Sequence, residues 1–141
     1  IRDATLLNSI ASSAIRTIAL PRAATAQDLA NMAWSFAALG VPNAPLITAI
    51  SSAARRSISA FRAQELANTS WSCAPFGFAN MPLLHAIAAA AIAKIPYCGP
   101  QELAATAWSF ARLGVVHDPL FAAIASSAIP TMPAFTPQHV A

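Results

Sequence analysis

The chain has 141 residues, of which 57% are hydrophobic and 9% are charged, and its formal net charge is +3. Its apolar runs, such as MPLLHAIAAAAIA from Met81, are shorter than the ~20 residues that a membrane-spanning helix needs. We therefore expect no membrane span, and so small a net charge does not by itself indicate a nucleic-acid-binding protein.

A fixed internal period organises the sequence. The segment DLANMAWSFAALG, which starts at Asp28, returns as ELANTSWSCAPFG and ELAATAWSFARLG at intervals of 37 residues. A second segment, PLITAISSAARRSI from Pro45, returns at the same interval from Pro82 and Pro119, and TLLNSIASSAIRTI from Thr5 precedes it by 40 residues. A period between 20 and 50 residues is typical of solenoids and repeat arrays.

The predicted helices follow this period along the chain. TLLNSIASSAIRTI is the first, and the loop after it, ALPRAATAQ, carries three extra residues. The next helix, of a kind we name helix A, carries an apolar stripe that includes Leu29 and Trp34. Thr25 with Asp28 three residues later predicts a capping box at its start. Gly40 and its counterparts predict a left-handed residue at each helix A end.

A second kind of helix, helix B, begins near Pro45 after a short loop, and short loops favour antiparallel neighbours. Later copies differ in detail. Pro75 interrupts the second helix A, whereas Pro100 suits the first turn of the third. Asp118 is the predicted N-cap of the last helix B.

The predicted fold is all-α, an α-solenoid of antiparallel helix pairs with a 37-residue repeat. It forms one helical-repeat array that contains a partial repeat at 1–26, repeats at 27–63, 64–100 and 101–137, and the start of the next repeat at 138–141. Thr136 would cap that further helix A, with Pro137 as its first residue. We accordingly expect the chain to be a piece of a longer array.

Residues that stay the same between repeats are expected to serve the scaffold. Leu29, Trp34 and Ala37, with their counterparts, are predicted to form the core between repeats. The glutamines at the helix A starts are also fixed, and we favour a bond to the backbone there over contact with a nucleotide. Those glutamines are Gln27, Gln64, Gln101 and Gln138. We interpret Ser35, Ser72 and Ser109 in the same way.

The strings ATAQDLANMAWSFAALG, FRAQELANTSWSCAPFG and CGPQELAATAWSFARLG resemble the octotricopeptide repeat, written F-x-P-Q-x-L-A-N-x-x-W-x-x-A-x-L-G. The resemblance covers nearly the whole chain, although Cys98 replaces the usual Phe and Ala105 the usual Asn. Tetratricopeptide repeats match less well, because they have W-x2-L-G over 34 residues. Octotricopeptide repeats, and related repeats beside RAP domains, belong to proteins that bind RNA in chloroplasts and mitochondria. The resemblance thus implies RNA binding in one of these organelles.

Positions that vary between repeats are candidates for reading RNA, because repeat proteins use two or three variable side chains per repeat for this purpose. On helix A three registers vary: Asn31, Asn68 and Ala105; Met32, Thr69 and Thr106; and Ala38, Pro75 and Arg112. On helix B one register holds Asn8, Thr48, His85 and Ala122. Neutral variation on a solvated face explains the same pattern at least as well.

Most basic residues lie late in helix B or in the loop after it: Arg16, Arg22, Arg55, Arg56, Arg62 and Lys94. Asp28, Glu65 and Glu102 instead occupy the first turn of helix A. We expect the acids and bases to segregate toward different ends of the helices, leaving a basic edge that suits phosphates. Favourable placement of cations near helix C-termini explains this pattern without RNA.

No catalytic residue, metal site or cofactor is predicted, and we do not expect an enzyme. The histidines and cysteines, namely His85, His117, His139, Cys73 and Cys98, show no metal-ligand spacing. Cys73 takes the place of Phe36 and Phe110, so we expect it in the core.

Two functions follow. The first is binding of single-stranded or ribosomal RNA in organellar RNA metabolism or translation. The alternative is a protein-interaction scaffold in a large assembly, such as an organellar ribosome or a photosynthetic complex. Few aromatic residues lie outside the predicted core, which weakens base stacking and keeps the alternative open. A basic edge that shares one concave face with the variable residues would favour RNA, whereas an apolar face would favour a protein partner.

Overall fold

A computed structural model describes residues 4–131 of the chain. These residues form seven α-helices: α1 (Ala4–Ile18), α2 (Ala26–Ala38), α3 (Ala44–Arg56), α4 (Ala63–Cys73), α5 (Met81–Ala93), α6 (Pro100–Arg112) and α7 (Asp118–Thr131). Short 3-10 turns follow α3 at Ile58–Ala60 and α5 at Ile95–Tyr97. The described part of the chain contains no strand, so the predicted all-α class is confirmed. Thr136, Pro137 and the other residues assigned to a further helix lie outside the described residues.

The helices pack in two layers. In the first, the A layer, α2 contacts α4 and α4 contacts α6. In the second, the B layer, α1, α3, α5 and α7 contact one another in that order. Contacts of α2 with α3, α4 with α5 and α6 with α7 join the layers. Each helix therefore has neighbours on both sides along its own layer, except at the ends.

The core lies between the layers and is built from residues at equivalent positions. Leu29, Leu66 and Leu103 of the A layer are buried, as predicted. Leu46, Leu83 and Leu120 of the B layer are buried with them. Removing such side chains from water is the main favourable term in folding, at about 25 cal/mol per Å² of apolar surface.

The acidic residues in the first turns of the A-layer helices close those helix starts. The backbone N–H of Thr25 donates to Asp28 Oδ2 at 2.9 Å, and the Asp28 N–H donates to Thr25 Oγ1 at 3.1 Å. This confirms the predicted capping box. Glu65 and Glu102 accept the corresponding N–H bonds from Arg62 and Gly99, at 2.8 and 3.1 Å.

Helices α3, α5 and α7 of the B layer are capped by a different set of residues. Asn43 and Asn80 accept bonds from the N–H groups of Leu46 and Leu83, each at 3.0 Å. The prediction of Asp118 as the last cap is wrong. His117 holds that position, and its Nδ1 accepts the N–H of Leu120 at 3.1 Å. Asp118 is instead the first residue of α7.

The A-layer helices end at glycines in the left-handed region, as predicted. Gly40, Gly77 and Gly114 have φ of 69°, 67° and 70°, values that an L residue with a Cβ adopts only at a cost. Helix α4 ends earlier than α2 and α6 relative to these glycines. Its last residue is Cys73, and Pro75 cannot supply the N–H that a longer helix would require.

The prediction that the tryptophans form the core is wrong. Trp34 and Trp108 are 47% and 45% exposed, and Trp71 is only partly buried. The reason is angular, because an α-helix turns about 100° per residue. Trp34 follows Leu29 by five residues and so points about 140° away from it, whereas Phe36, seven residues after Leu29, returns to the buried side.

Candidate nucleic-acid interface

The outward side of the A layer carries one repeated set of side chains. In α2 this set is Gln27, Asn31, Trp34 and Ala38, whose spacing of four, three and four residues places them on one side of a helix. The equivalent residues are Gln64, Asn68 and Trp71 in α4 with Pro75 just after its end, and Gln101, Ala105, Trp108 and Arg112 in α6. We name this surface the A face.

The side-chain amides of the A face make no hydrogen bond within the described structure. The glutamines Gln27, Gln64 and Gln101 are exposed, and their amides make no hydrogen bond within residues 4–131. Acidic side chains satisfy the helix starts, so the bond to the backbone predicted for the glutamines is not observed. The predicted structural role of the serines does hold, because Ser35, Ser72 and Ser109 each donate to the carbonyl four residues earlier.

The tryptophans of adjacent helices meet on the A face. The ring centroids of Trp34 and Trp71 are 6.4 Å apart, and their planes are inclined by 32°. Neighbouring helix axes are separated by roughly 8–10 Å, so the two indoles lean toward each other across the seam. Trp108 holds the equivalent position of α6 and has similar exposure to Trp34.

The variable residues of helix B lie elsewhere. Thr48 and His85 are exposed on α3 and α5, on the side of the B layer that points away from the A layer. The structure therefore does not bring all the predicted reading positions onto one face. The His85 ring lies 6.1 Å from that of His117, which caps α7.

The basic residues gather where the B-layer helices end and the A-layer helices begin. A groove of about 1140 Å³ there is lined by Arg22, Arg56 and Arg62, together with Gln27 and Glu65. A second groove, of about 430 Å³, is lined by Arg62, Gln64, Lys94, Tyr97 and Glu102. Arg62 lines both grooves, and we name them together the basic edge.

The other arginines predicted to contact RNA do not line these two grooves. Arg16 is exposed in the last turn of α1. Arg55 lines a shallow groove between α3 and α5 with Pro82 and Ala86. Arg112 ends α6 and so lies at the opposite end of the A layer.

The expected segregation of acids from bases is wrong at the level of the molecule. Helices α1, α3 and α5 each lead into the start of an A-layer helix, so the bases at their C-terminal ends adjoin the first-turn acids. Glu65 and Glu102 accordingly line the same grooves as the arginines. Their carboxylates accept backbone N–H bonds, and Glu65 also pairs with Arg62 at 3.2 Å. The exposed guanidinium groups thus remain the outermost charges of the edge.

The hydrogen bonds of the α2 capping box also affect the acidity of Asp28. The backbone and side-chain bonds with Thr25 hold the pKa of the Asp28 carboxyl below its ordinary value. Asp28 therefore remains ionised through the neutral range, and its negative charge faces the positive end of the helix dipole.

Lys94 and Arg62 differ in availability to a ligand. The ammonium group of Lys94 donates to the carbonyl oxygens of Ser59, at 3.0 Å, and Phe61. Lys94 is thus occupied in joining two successive connections. The side chain of Arg62 is 78% exposed despite its ion pair with Glu65, so most of its donors face solvent.

The backbone at Arg22 is unusual. Its φ is 60°, in the left-handed region that residues other than Gly, Asn and Asp rarely enter. Pro21 and Arg22 form a turn in which the Ala23 N–H donates to the Leu20 carbonyl at 3.3 Å. The turn holds Arg22 at the rim of the larger groove.

Exposed aromatic residues are the feature that sequence reasoning missed. Besides the tryptophans, Tyr97 is 80% exposed and lines the basic edge. The angular offset between Leu29 and Trp34 was the available signal for the tryptophans. For Tyr97 no signal was present, because its place in a 3-10 turn after α5 has no apolar period.

The described residues offer few groups for other kinds of site. No group of three or more His, Cys, Asp or Glu side chains within 4–131 could hold a metal ion. Cys73 is buried, as predicted, and burial raises the pKa of its thiol to about 11. None of the described helices has the length and apolar character needed to cross a membrane.

Comparison with known proteins gives no family assignment. No protein-family model matches the chain, and no curated protein matches it in sequence.

Proposed function

We propose that this chain is an octotricopeptide-type α-solenoid with a 37-residue repeat, and that it binds single-stranded RNA. The resemblance of its repeats implies work in a chloroplast or mitochondrion, in RNA metabolism or translation. The proposed role is binding rather than catalysis.

The observation that carries this proposal is the basic edge. Arg22, Arg56 and Arg62 line one groove, and Arg62 also lines the next groove. Guanidinium groups bind phosphates through paired N–H donors. A row of them along the chain's repeats suits a backbone that carries one charge per nucleotide, and binding would release the counterions of those phosphates.

A salt titration tests the proposal. Binding of fluorescent single-stranded RNA is followed by anisotropy between about 50 and 200 mM salt, a range over which phosphate contacts lose much of their affinity. Each contact removed should flatten the log–log slope by ~0.7. The variant with Arg22→Asn, Arg56→Gln and Arg62→Gln should therefore lose about two units of slope. Asn tolerates the left-handed backbone at position 22.

A matched pair of single variants locates the contact. Arg62→Gln removes a charge from the basic edge, and Arg55→Gln removes one from the groove between α3 and α5. Only Arg62→Gln should reduce the slope. Absence of binding to wild type at the lowest salt would overturn the proposal. An equal effect of both substitutions on the slope would indicate that the RNA binds on the B layer.

A second candidate function, the protein-interaction scaffold, is supported by a different observation. The groove between α1 and α2 is mainly apolar and includes Ile10, Ala14 and Met32, and Ile10 is 47% exposed. Ile10→Asp should abolish co-purification of an identified ribosomal or photosynthetic subunit from organelles and leave the RNA titration unchanged. If Ile10→Asp weakened RNA binding and the partner still co-purified, the result would count against the scaffold function.

A further inference from the structure

We infer that the A face is a base-stacking surface, on which Trp34, Trp71 and Trp108 receive unstacked bases of single-stranded RNA. The inference rests on the proposed RNA-binding function and adds to it the surface that takes the bases. It depends on the exposure of the indoles, the free amides beside them, and the continuity of the A face with the basic edge.

The exposure of the tryptophans is not explained by the scaffold. Trp34 and Trp108 keep nearly half of their surface in solvent, whereas Phe110, two residues after Trp108, is fully buried. Large aromatic groups in the same helices can therefore be buried when packing requires it. Exposed aromatic rings in a row are what single-strand-binding proteins present to successive bases.

The spacing of the indoles suits a ligand that passes from helix to helix. Trp34 and Trp71 lie on neighbouring helices with 6.4 Å between their ring centroids. They therefore form one aromatic strip across the seam between α2 and α4. Trp108 extends the same register onto α6, which also packs against α4.

The amides beside the strip have unused hydrogen-bonding capacity. The side chains of Asn31 and Asn68 precede the tryptophans by three residues and make no hydrogen bond with other described residues. An amide offers two donors and an acceptor, which match the edges of an unpaired base. The equivalent residue of α6 is Ala105, so α6 can stack a base but cannot read its edge from this position.

The A face also adjoins the basic edge. Gln27 lines the larger groove with Arg22 and Arg62, and it precedes Trp34 by two helical turns, or about 10 Å. Gln64 joins the second groove to Trp71 in the same way. A strand whose phosphates follow the basic edge can thus direct its bases across the glutamines toward the tryptophans.

The chemistry of the surface favours a nucleic acid over a protein partner. Protein-binding hot spots lie in desolvated pockets surrounded by other apolar groups. Here the indoles are flanked by amides, and Gln27 of the A face lines a groove together with Arg22 and Arg62. Nucleobases need both features, since they combine an apolar ring face with polar edges and a charged backbone.

Graded substitutions in the 141-residue chain test the inference. Trp34→Leu and Trp108→Leu should each weaken RNA binding roughly 5- to 150-fold, the range for loss of one stacked base. Trp→Phe at the same positions should restore part of the affinity, because a smaller ring still stacks. The salt slope should stay the same in all four variants, since stacking releases few counterions. Val116→Ala, which shortens an exposed apolar side chain outside the A face, is the control and should bind as wild type does.

Intrinsic fluorescence gives a second measurement, because the only tryptophans of the chain are the three on the A face. Saturating RNA should quench their emission. Salt-dependent RNA binding that leaves both the emission and the Trp→Leu affinities unchanged would overturn this inference while leaving the proposed function intact. Absence of binding by wild type would overturn both.

Discussion

The ammonium group of Lys94 donates a hydrogen bond to the carbonyl oxygen of Ser59, 35 residues earlier in the chain, at 3.0 Å. A second bond reaches the carbonyl of Phe61, which is itself fully buried. These bonds tie the 3-10 turn after α3 to the end of α5. A basic residue that the sequence placed with the phosphate contacts thus has a measurable role in holding two connections together.

Lys94→Met should destabilise the fold by about 1.5–3 kcal/mol, the range for hydrogen bonds to a charged group. Methionine keeps the length of the side chain, so the loss isolates the ammonium bonds. Urea unfolding followed by circular dichroism measures the difference. Arg56→Met, an exposed basic residue at the same edge, is the control and should change stability by less than about 0.5 kcal/mol. Equal effects of the two substitutions would show that the Lys94 bonds contribute nothing.

Two aromatic residues of α6 should differ sharply in their cost of truncation. Phe110 is fully buried and packs edge-on against Phe121, so Phe110→Ala should cost about 3–5 kcal/mol. Trp108 is 45% exposed, and Trp108→Ala should cost only about 1–2 kcal/mol because much of the ring never left water. Urea melts of both variants provide the comparison. A larger loss of stability in Trp108→Ala than in Phe110→Ala would show that Trp108 belongs to the core.

Local rules predicted the helices well. The capping box at Thr25 and the left-handed glycine at Gly40 depend only on neighbouring residues, and both are observed. The exposure of Trp34 was not predicted. Core residues and residues of a repeated exposed surface can both be apolar and can both recur in every repeat, so the repeat pattern does not distinguish them. The meeting of Glu65 with Arg56 at one edge depends on how consecutive helices turn back on each other, which lies beyond local sequence.

The capping box of α2 should show a defined acid dependence. Its bonds lower the folded-state pKa of Asp28 below the ordinary value of 3.8. The stabilisation is therefore fully present above that ordinary value, and it is lost as pH falls through the lowered folded-state pKa. The stability difference between wild type and Asp28→Asn should be constant from neutral pH down to about pH 5 and shrink below about pH 4.

Thermal melts across this pH range measure that difference. Thr25→Ala removes the side-chain partner of Asp28, and it should itself cost about 0.5–2 kcal/mol at neutral pH. In the Thr25→Ala background the acid dependence should be smaller but not absent, since the backbone N–H of residue 25 still donates. A difference that grew on acidification would contradict the assignment.

The buried thiol of Cys73 should be protected in the folded protein. Its pKa is raised to about 11 by burial, so at pH 8 it is neutral and inaccessible to alkylation. In the Cys98→Ala variant, labelling should proceed only as fast as the structure opens. The Cys73→Ala variant, which keeps the half-buried Cys98, should label faster. Mass spectrometry against time gives both rates.

The same thiol should weaken the fold in alkali. In the unfolded chain it ionises near its ordinary value of 9.0, whereas the folded state keeps it protonated to about 11. Stability from this group is therefore complete below pH 9 and declines as pH rises toward 11. Cys73→Ala should remove that part of the decline. Identical alkaline profiles for wild type and Cys73→Ala would contradict the raised pKa.

The cap of α7 fixes the tautomer of a histidine. Because Nδ1 of His117 accepts the Leu120 N–H at 3.1 Å, the ring proton of the neutral imidazole resides on Nε2. Asn43 and Asn80, the equivalent caps, accept through a side-chain amide oxygen instead. The last helix of the described chain therefore starts at a ring with its proton fixed on Nε2, whereas α3 and α5 start at amides, and the nitrogen-15 shifts of His117 would report that tautomer.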